Sequence, residues 1–175
     1  MVSGSARGRP LRAAVPSSIR PTTDRVKESM FDIVGSLGGV EGLDVIDLFC
    51  GTGSLGIEAL SRGARTVTFV DSDPGALAIA KENLLGVGLD LADATFVRAT
   101  IPGWAARAAD LVFADPPYGA VDAAAVLEGL PVELVVFESR DPLGEISGWR
   151  SLKERRYGTT IVTVLTRPSD EDPTP

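Results

Sequence analysis

Val45-Ile46-Asp47-Leu48-Phe49-Cys50-Gly51-Thr52-Gly53-Ser54-Leu55-Gly56-Ile57-Glu58-Ala59-Leu60 runs from an apolar strand into a glycine-rich turn and out into a helix. Gly51, Gly53 and Gly56 reproduce the G-x-G-x-x-G spacing. Such a turn lets backbone approach a ligand closely and points the free N–H groups of a helix start at it. By itself the spacing fits a nicotinamide dinucleotide, a flavin or S-adenosylmethionine, so the surrounding chain has to choose.

On either side, helical and strand patterns alternate. Val26, Met30, Phe31, Ile33, Val34 and Leu37 recur at helical spacing, with Thr22 or Thr23 as a cap, Asp24 in the first turn and Gly38-Gly39 as the stop. A strand over 43–49 precedes the turn, and another over 66–71 ends in an acid. Pro74 suits the first turn of a helix reaching Leu85. Strands over 94–98, 109–114 and 132–138, a half-turn around Trp104 and a helix over 121–130 follow. Strands over 152–157 and 160–165 meet at Gly158-Thr159 as a hairpin. The expected fold is α/β, a doubly wound, mostly parallel sheet closed by an antiparallel C-terminal hairpin.

A chain of 175 residues, 44% apolar, accommodates one domain. The expected organisation is a basic N-terminal arm at 1–21, a single domain at 22–168 and a disordered acidic, proline-containing tail at 169–175. No apolar run is long enough for a bilayer and no secretory pattern opens the chain, so a cytoplasmic location and no membrane partner are expected. With no histidine and a single cysteine, Cys50, serine–histidine and cysteine–histidine hydrolysis and the usual zinc sites are excluded, and no metal is expected. Net charge is −7. Yet Arg7, Arg9, Arg12, Arg20, Arg25 and Lys27 face only Asp24 in the first 27 residues, giving an acidic body with a basic arm. Such an arm is either a solvated tail or a track for a phosphate backbone.

Asp71 lies 20 residues beyond Gly51, the separation at which an acid meets ribose hydroxyls. Asp47 decides among the cofactors. Its carboxylate would repel a pyrophosphate by several kcal/mol in a partly dry pocket. The sulfonium and amino group of S-adenosylmethionine would instead be attracted, while the loop's N–H groups take its carboxylate. Asp47 could also bond the loop's own backbone, which does not exclude that role. Cys50 is read as a small pocket-lining residue in preference to a nucleophile.

Asp115-Pro116-Pro117-Tyr118 follows the 109–114 strand. Two prolines remove two N–H donors, so the turn offers carbonyls and one carboxylate. An exocyclic nucleobase amine, whose lone pair is delocalised into the ring, needs such acceptors to hold it in line with a methyl carbon. Tyr118 adds a face on which a base can stack.

These segments, the Val135-Val136-Phe137-Glu138-Ser139 strand and, most narrowly, Arg20-Pro21-Thr22-Thr23-Asp24-Arg25-Val26, resemble the RsmD family of bacterial 16S ribosomal RNA guanine-N2 methyltransferases, over about residues 7–165. The resemblance implies a Rossmann-like class I methyltransferase fold and S-adenosylmethionine as cofactor. It also implies methylation of a guanine N2 in 16S rRNA, in the 30S subunit or an assembly intermediate. It places Asp115, Pro116, Pro117 and Tyr118 at the catalytic centre, and Asp47, Phe49, Gly51, Thr52, Gly53, Asp71, Ser72, Asp73 and Ala99 around the cofactor. Arg7, Arg9, Arg12, Arg20, Thr23 and Arg25 would meet RNA. The family usually has a fuller first strand before its R-G-R, whereas only Met1 to Ala6 precede Arg7 here, and the row Val97-Arg98-Ala99-Thr100 stands where a small polar or acidic residue is common. A monomer is expected. A DNA adenine-N6 methyltransferase would use the same D-P-P-Y chemistry, and a non-catalytic RNA-binding assembly factor could keep an inherited pocket.

Overall fold

The computed structural model describes residues 1–11, 24–117, 119 and 121–168. The elements are α1 (Asp24–Gly35), β1 (Asp44–Leu48), α2 (Ser54–Ser61), β2 (Thr66–Asp71), α3 (Pro74–Gly86), a 3-10 turn (Leu91–Asp93), β3 (Ala94–Arg98), β4 (Ala109–Ala114), α4 (Ala123–Leu127), β5 (Val132–Ser139), β6 (Arg150–Tyr157) and β7 (Thr160–Thr166). One sheet has the order β3-β2-β1-β4-β5-β7-β6. Strands β1 to β5 pair in parallel, and β7 pairs antiparallel with both β5 and β6. The order reverses between β1 and β4, where a doubly wound sheet opens its ligand crevice.

Both faces of the central strands are covered. Helices α1, α2 and α3 pack Met30, Phe31, Ile57 and Leu84 against Val45, Phe69, Phe113 and Val162. On the other face α4 and Trp149 pack against Ile46, Val112, Val135 and Leu165. The central strands are apolar on both faces, which explains why they read as continuous runs such as Leu111 to Ala114.

Three elements differ from the sequence expectation. The helix expected over 121–130 is only Ala123–Leu127, because Asp122 caps it at Ala124 N–H and Gly129, at φ 69, turns the chain out ahead of Pro131. Helix α1 ends at Gly35 and passes through turns before Gly39, whose N–H returns to the Val34 carbonyl. The region around Trp104 has bends at 101–103 in place of a half-turn of helix. The capping threonines Thr22 and Thr23, and the tail at 169–175, lie outside the described residues.

Residues 1–9 are folded onto the far ends of α2 and α3. Glu58 has no exposed surface and accepts N–H bonds from Val2 at 2.9 Å and Ser3 at 2.8 Å, while Arg62 Nε donates to it at 2.9 Å. Ser61 adds a second clamp, accepting from Ala6 N–H through Oγ at 2.9 Å and donating to Ser3 O at 2.7 Å. Gly4 (φ 76) passes so close that a Cβ there would lie 1.8 Å from Ser61 O. Glu58→Ala leaves two backbone N–H groups and Arg62 without their acceptor. We expect it to lower stability by about 3 kcal/mol in chemical denaturation. We also expect limited proteolysis to cut selectively before Leu11.

Candidate active site

Strand β1 ends at Leu48, and the chain reverses at once because Phe49 adopts φ 58 and Gly51 φ 52. A left-handed phenylalanine costs about 1–3 kcal/mol. The turn is held by Cys50 N–H donating to Val70 O at 3.1 Å and Gly53 N–H to Cys50 O at 2.7 Å. Gly53 (φ 76) stands at the entry of α2, where a Cβ would press within 2.9 Å of Ala80 Cβ. The third glycine has a packing reason. A Cβ on Gly56 would come within 2.4 Å of Phe69 Cε1 and 2.7 Å of Val67 Cγ1, so glycine lets α2 lie on β2.

Asp47, 1% exposed, accepts the Gly56 N–H at 2.8 Å. Its carboxylate thus bonds the backbone of the loop's own helix. Burial pushes its carboxyl well above the usual carboxylate range; the Gly56 bond opposes this, and the nearby charges of Asp115 and Asp71 add to it. Asp71 accepts Gly51 N–H at 3.0 Å on one oxygen and Asp73 N–H at 2.9 Å on the other. Each oxygen keeps a second lone pair. Asp73 is the cap of α3, accepting Gly75 N–H at 2.8 Å, and Ser72 O accepts from Arg98 Nε at 3.3 Å. Ala99 N–H donates to Asp71 O at 3.0 Å, which brings the end of β3 beside the acid. Thr52 O accepts from Asn83 Nδ2 at 3.0 Å, so α3 braces the glycine turn; Asn83 carried no motif signal.

Register aligns the two halves of the site. Leu48 pairs with Val70 on one side and Ala114 on the other, so Asp71, Phe49 and Asp115 follow as one row at the carboxyl edge of the sheet. Asp115 is half-buried, Pro116 buried and Pro117 exposed; Tyr118 lies outside the described residues. Because Ala114 pairs with Phe137, Glu138, 4% exposed, continues the row beside Asp115. Cys50 is buried, and burial with the Asp47 and Asp71 charges drives its thiol far up, which disfavours the thiolate that nucleophilic work needs.

The predicted RNA contacts are placed differently. Arg7 is exposed, and Arg9 bonds Val87 O at the end of α3, so both lie where the strands begin, away from the glycine turn. Arg25 is exposed in the first turn of α1. Arg12, Arg20 and Thr23 lie outside the described residues.

The donor set fits S-adenosylmethionine. Three carboxylates within electrostatic reach of one turn suit a sulfonium and an amine, and would repel a pyrophosphate. Among the described residues, no group of three or more His, Cys, Asp or Glu residues could hold a metal ion, and no helix is long and apolar enough to cross a membrane. Asp47→Asn keeps an acceptor for Gly56 and removes the charge. A carboxyl raised above its unfolded value of 3.8 contributes stability that is full below that value and lost as pH rises through the folded one. The variant should therefore show a flatter stability–pH profile above pH 4 in thermal melts. It should also bind S-adenosylmethionine about tenfold more weakly, ~1.4 kcal/mol by calorimetry. An unchanged affinity would reduce Asp47 to an anchor of the loop.

The family model described as "Conserved hypothetical protein 95" matches residues 1–166. Ribosomal RNA small subunit methyltransferase D of Haemophilus influenzae is 31% identical over 172 residues, covering 90% of this chain and 88% of that one. YlbH of Bacillus subtilis is 52% identical over 85 residues, 48% of this chain and 45% of YlbH, so that match spans less than half of the relative. Among solved structures, yhhF of Escherichia coli superposes with a TM-score of 0.79 at 27% identity, covering 95% of this chain and 96% of that one. Protein TTHA0928 of Thermus thermophilus does so with 0.75 at 30% identity, covering 95% and 97%. The chain therefore belongs to the Conserved hypothetical protein 95 family, and with it to the S-adenosylmethionine-dependent methyltransferases of class I fold.

Proposed function

We propose that the protein methylates the exocyclic N2 amine of a guanine in 16S rRNA, in the 30S subunit or an assembly intermediate, as a cytoplasmic monomer. The observation that carries this reading is the row Asp71, Phe49, Asp115: an acceptor-rich turn stands one strand from the glycine turn, at the point where strand order reverses. The name of the H. influenzae relative supports ribosomal RNA as the substrate class.

On this reading Asp47, Phe49, Gly51, Thr52, Gly53, Asp71, Ser72, Asp73 and Ala99 form the cofactor cradle. Asp71 meets the ribose hydroxyls with its remaining lone pairs, and Ala99 lies toward the adenine. Bound S-adenosylmethionine supplies an electrophilic methyl carbon and a thioether leaving group. The chain's own part is positioning. The Asp115 carboxylate and the Pro116 carbonyl accept the two N–H bonds of the guanine amine and turn its lone pair out of conjugation. Pro116 and Pro117 have no N–H to compete for that lone pair. Tyr118 stacks on the base. As the N–C bond forms, the amine acquires positive charge, and a proton passes to Asp115 and on to water. Arg7, Arg9, Arg12, Arg20, Thr23 and Arg25 are proposed to steer RNA, with Arg25 on the first turn of α1.

Labelled S-adenosylmethionine and 30S particles from a strain lacking the modification test the reading. Wild-type protein should deposit N2-methylguanine in 16S rRNA. Asp115→Ala should bind the cofactor within about twofold of wild type while transferring ~100-fold more slowly, the usual loss when one transition-state hydrogen-bond partner is removed. Label in N6-methyladenine, or in no RNA while cofactor binds, would sink the proposal.

A further inference from the structure

We propose that β6, the outer strand of the sheet, is a track for the phosphate backbone of the RNA substrate, with Lys153, Arg155 and Arg156 as its cations. This rests on the proposed RNA methyltransferase function and extends it to a surface on the opposite side of the site from the glycine turn.

The antiparallel return of β7 is what brings these residues to the site. Ser139 pairs with Ile161 and Tyr157 with Thr160, so the tip of the β6–β7 hairpin lies at the same carboxyl edge as Asp71 and Asp115. Arg155 pairs with Val162, Val162 with Glu138, and Glu138 stands beside Asp115. Asp115 and Arg155 are thus three strand spacings apart, roughly 14 Å, a distance a few nucleotides span. Asp115, Lys153 and Arg155 share a face, while Arg156 projects from the other side of the same edge strand, so a phosphate backbone lying along the edge itself meets both. Val162 and Val164, the partners of Arg155 and Lys153, lie in the same cluster as Phe113 and α1. On that face Ser29 of α1 bonds the Tyr157 hydroxyl, and Arg25, one helical turn earlier, continues the line of cations.

Arg155 and Arg156 are exposed, and among the described residues neither guanidinium is in an ion pair. The single acid of the strand, Glu154, alternates to the face of Arg156. As the last strand in the order, β6 also leaves one row of backbone N–H groups without a sheet partner. Four cations against one acid on a single strand, in a chain with net charge −7, are a local reversal of sign that suits a polyanion. Cations on an edge strand can alternatively serve only to prevent edge-to-edge association of copies.

The test compares wild type, the double variant Arg155→Ala/Arg156→Ala and the double variant Arg155→Lys/Arg156→Lys. It measures affinity for isolated 16S rRNA as a function of salt, KM and kcat on 30S particles, calorimetric affinity for S-adenosylmethionine and self-association. The alanine pair should reduce the slope of log K against log salt by about 1.4, two phosphate contacts at ~0.7 each on single-stranded RNA. KM for the particles should rise about tenfold, with kcat and cofactor affinity unchanged. The lysine pair should keep the wild-type slope. If wild type methylates RNA and the alanine pair keeps both slope and KM, with or without new self-association, the track is overturned. If wild type methylates no RNA, the underlying function falls with it.

Discussion

The buried bond from Gly56 N–H to Asp47 ties the glycine turn to the strand that precedes it, and the rest of the site is built around that tie. A carboxylate with 1% exposure and two acidic neighbours is a costly thing to hold in a fold. The cost is offset in part by a hydrogen bond from the start of α2, where unsatisfied N–H groups and the helix dipole favour negative charge. Holding Asp47 there fixes the first turn of α2, and that turn sets how Gly51 meets Asp71 and how Thr52 meets Asn83. A left-handed Phe49 persists because these bonds over-determine it. A cationic ligand would favour the ionised form of the same carboxyl that burial disfavours, so fold and ligand preference trace to one side chain.

Most of the architecture was legible because periodicity and turn chemistry agreed. The strands at 66–71, 94–98 and 109–114 stand where their apolar runs ended in an acid, an arginine and a proline turn. The short α4 was overread because Val126, Leu127 and Leu130 are all buried, although Gly129 breaks the helix between them. In the site, the 20-residue separation from Gly51 to Asp71 marks two residues that meet in space, Gly51 N–H donating to the Asp71 carboxylate. Asp47 illustrates the limit. The sequence places an acid before the turn, but whether it faces a ligand or its own helix depends on a rotamer, and the observed one bonds Gly56. Glu58 was invisible for another reason: α2 is buried on nearly every side, so no polar face advertised an acid that reads the backbone of residues 2 and 3.

The chain distributes charge between the two edges of the sheet. Residues 1–9 are secured where the strands begin, while α1 starts near the tip of the β6–β7 hairpin at the opposite edge. Of the six cations in the first 27 residues, Arg7 and Arg9 thus lie at one edge and Arg25 and Lys27 on α1 toward the other. A basic stretch near the N-terminus read as one arm is thus divided, with Arg9 bonded to the end of α3 and Arg25 exposed in the first turn of α1.

Cys50 gives the chain a built-in clock. It is the single thiol in the sequence, it is buried inside the glycine turn, and its ionisation is suppressed there. With only 7% of its surface exposed, Cys50 becomes open to a thiol reagent as the turn held by the bonds from Cys50 N–H to Val70 and from Gly53 N–H to Cys50 loosens. The alkylation rate of the native protein consequently counts openings of this one turn, in the manner of an exchange measurement restricted to a single site. Whatever closes the turn, whether a bound cation or the brace from Asn83, slows that clock by the free energy with which it holds the turn shut.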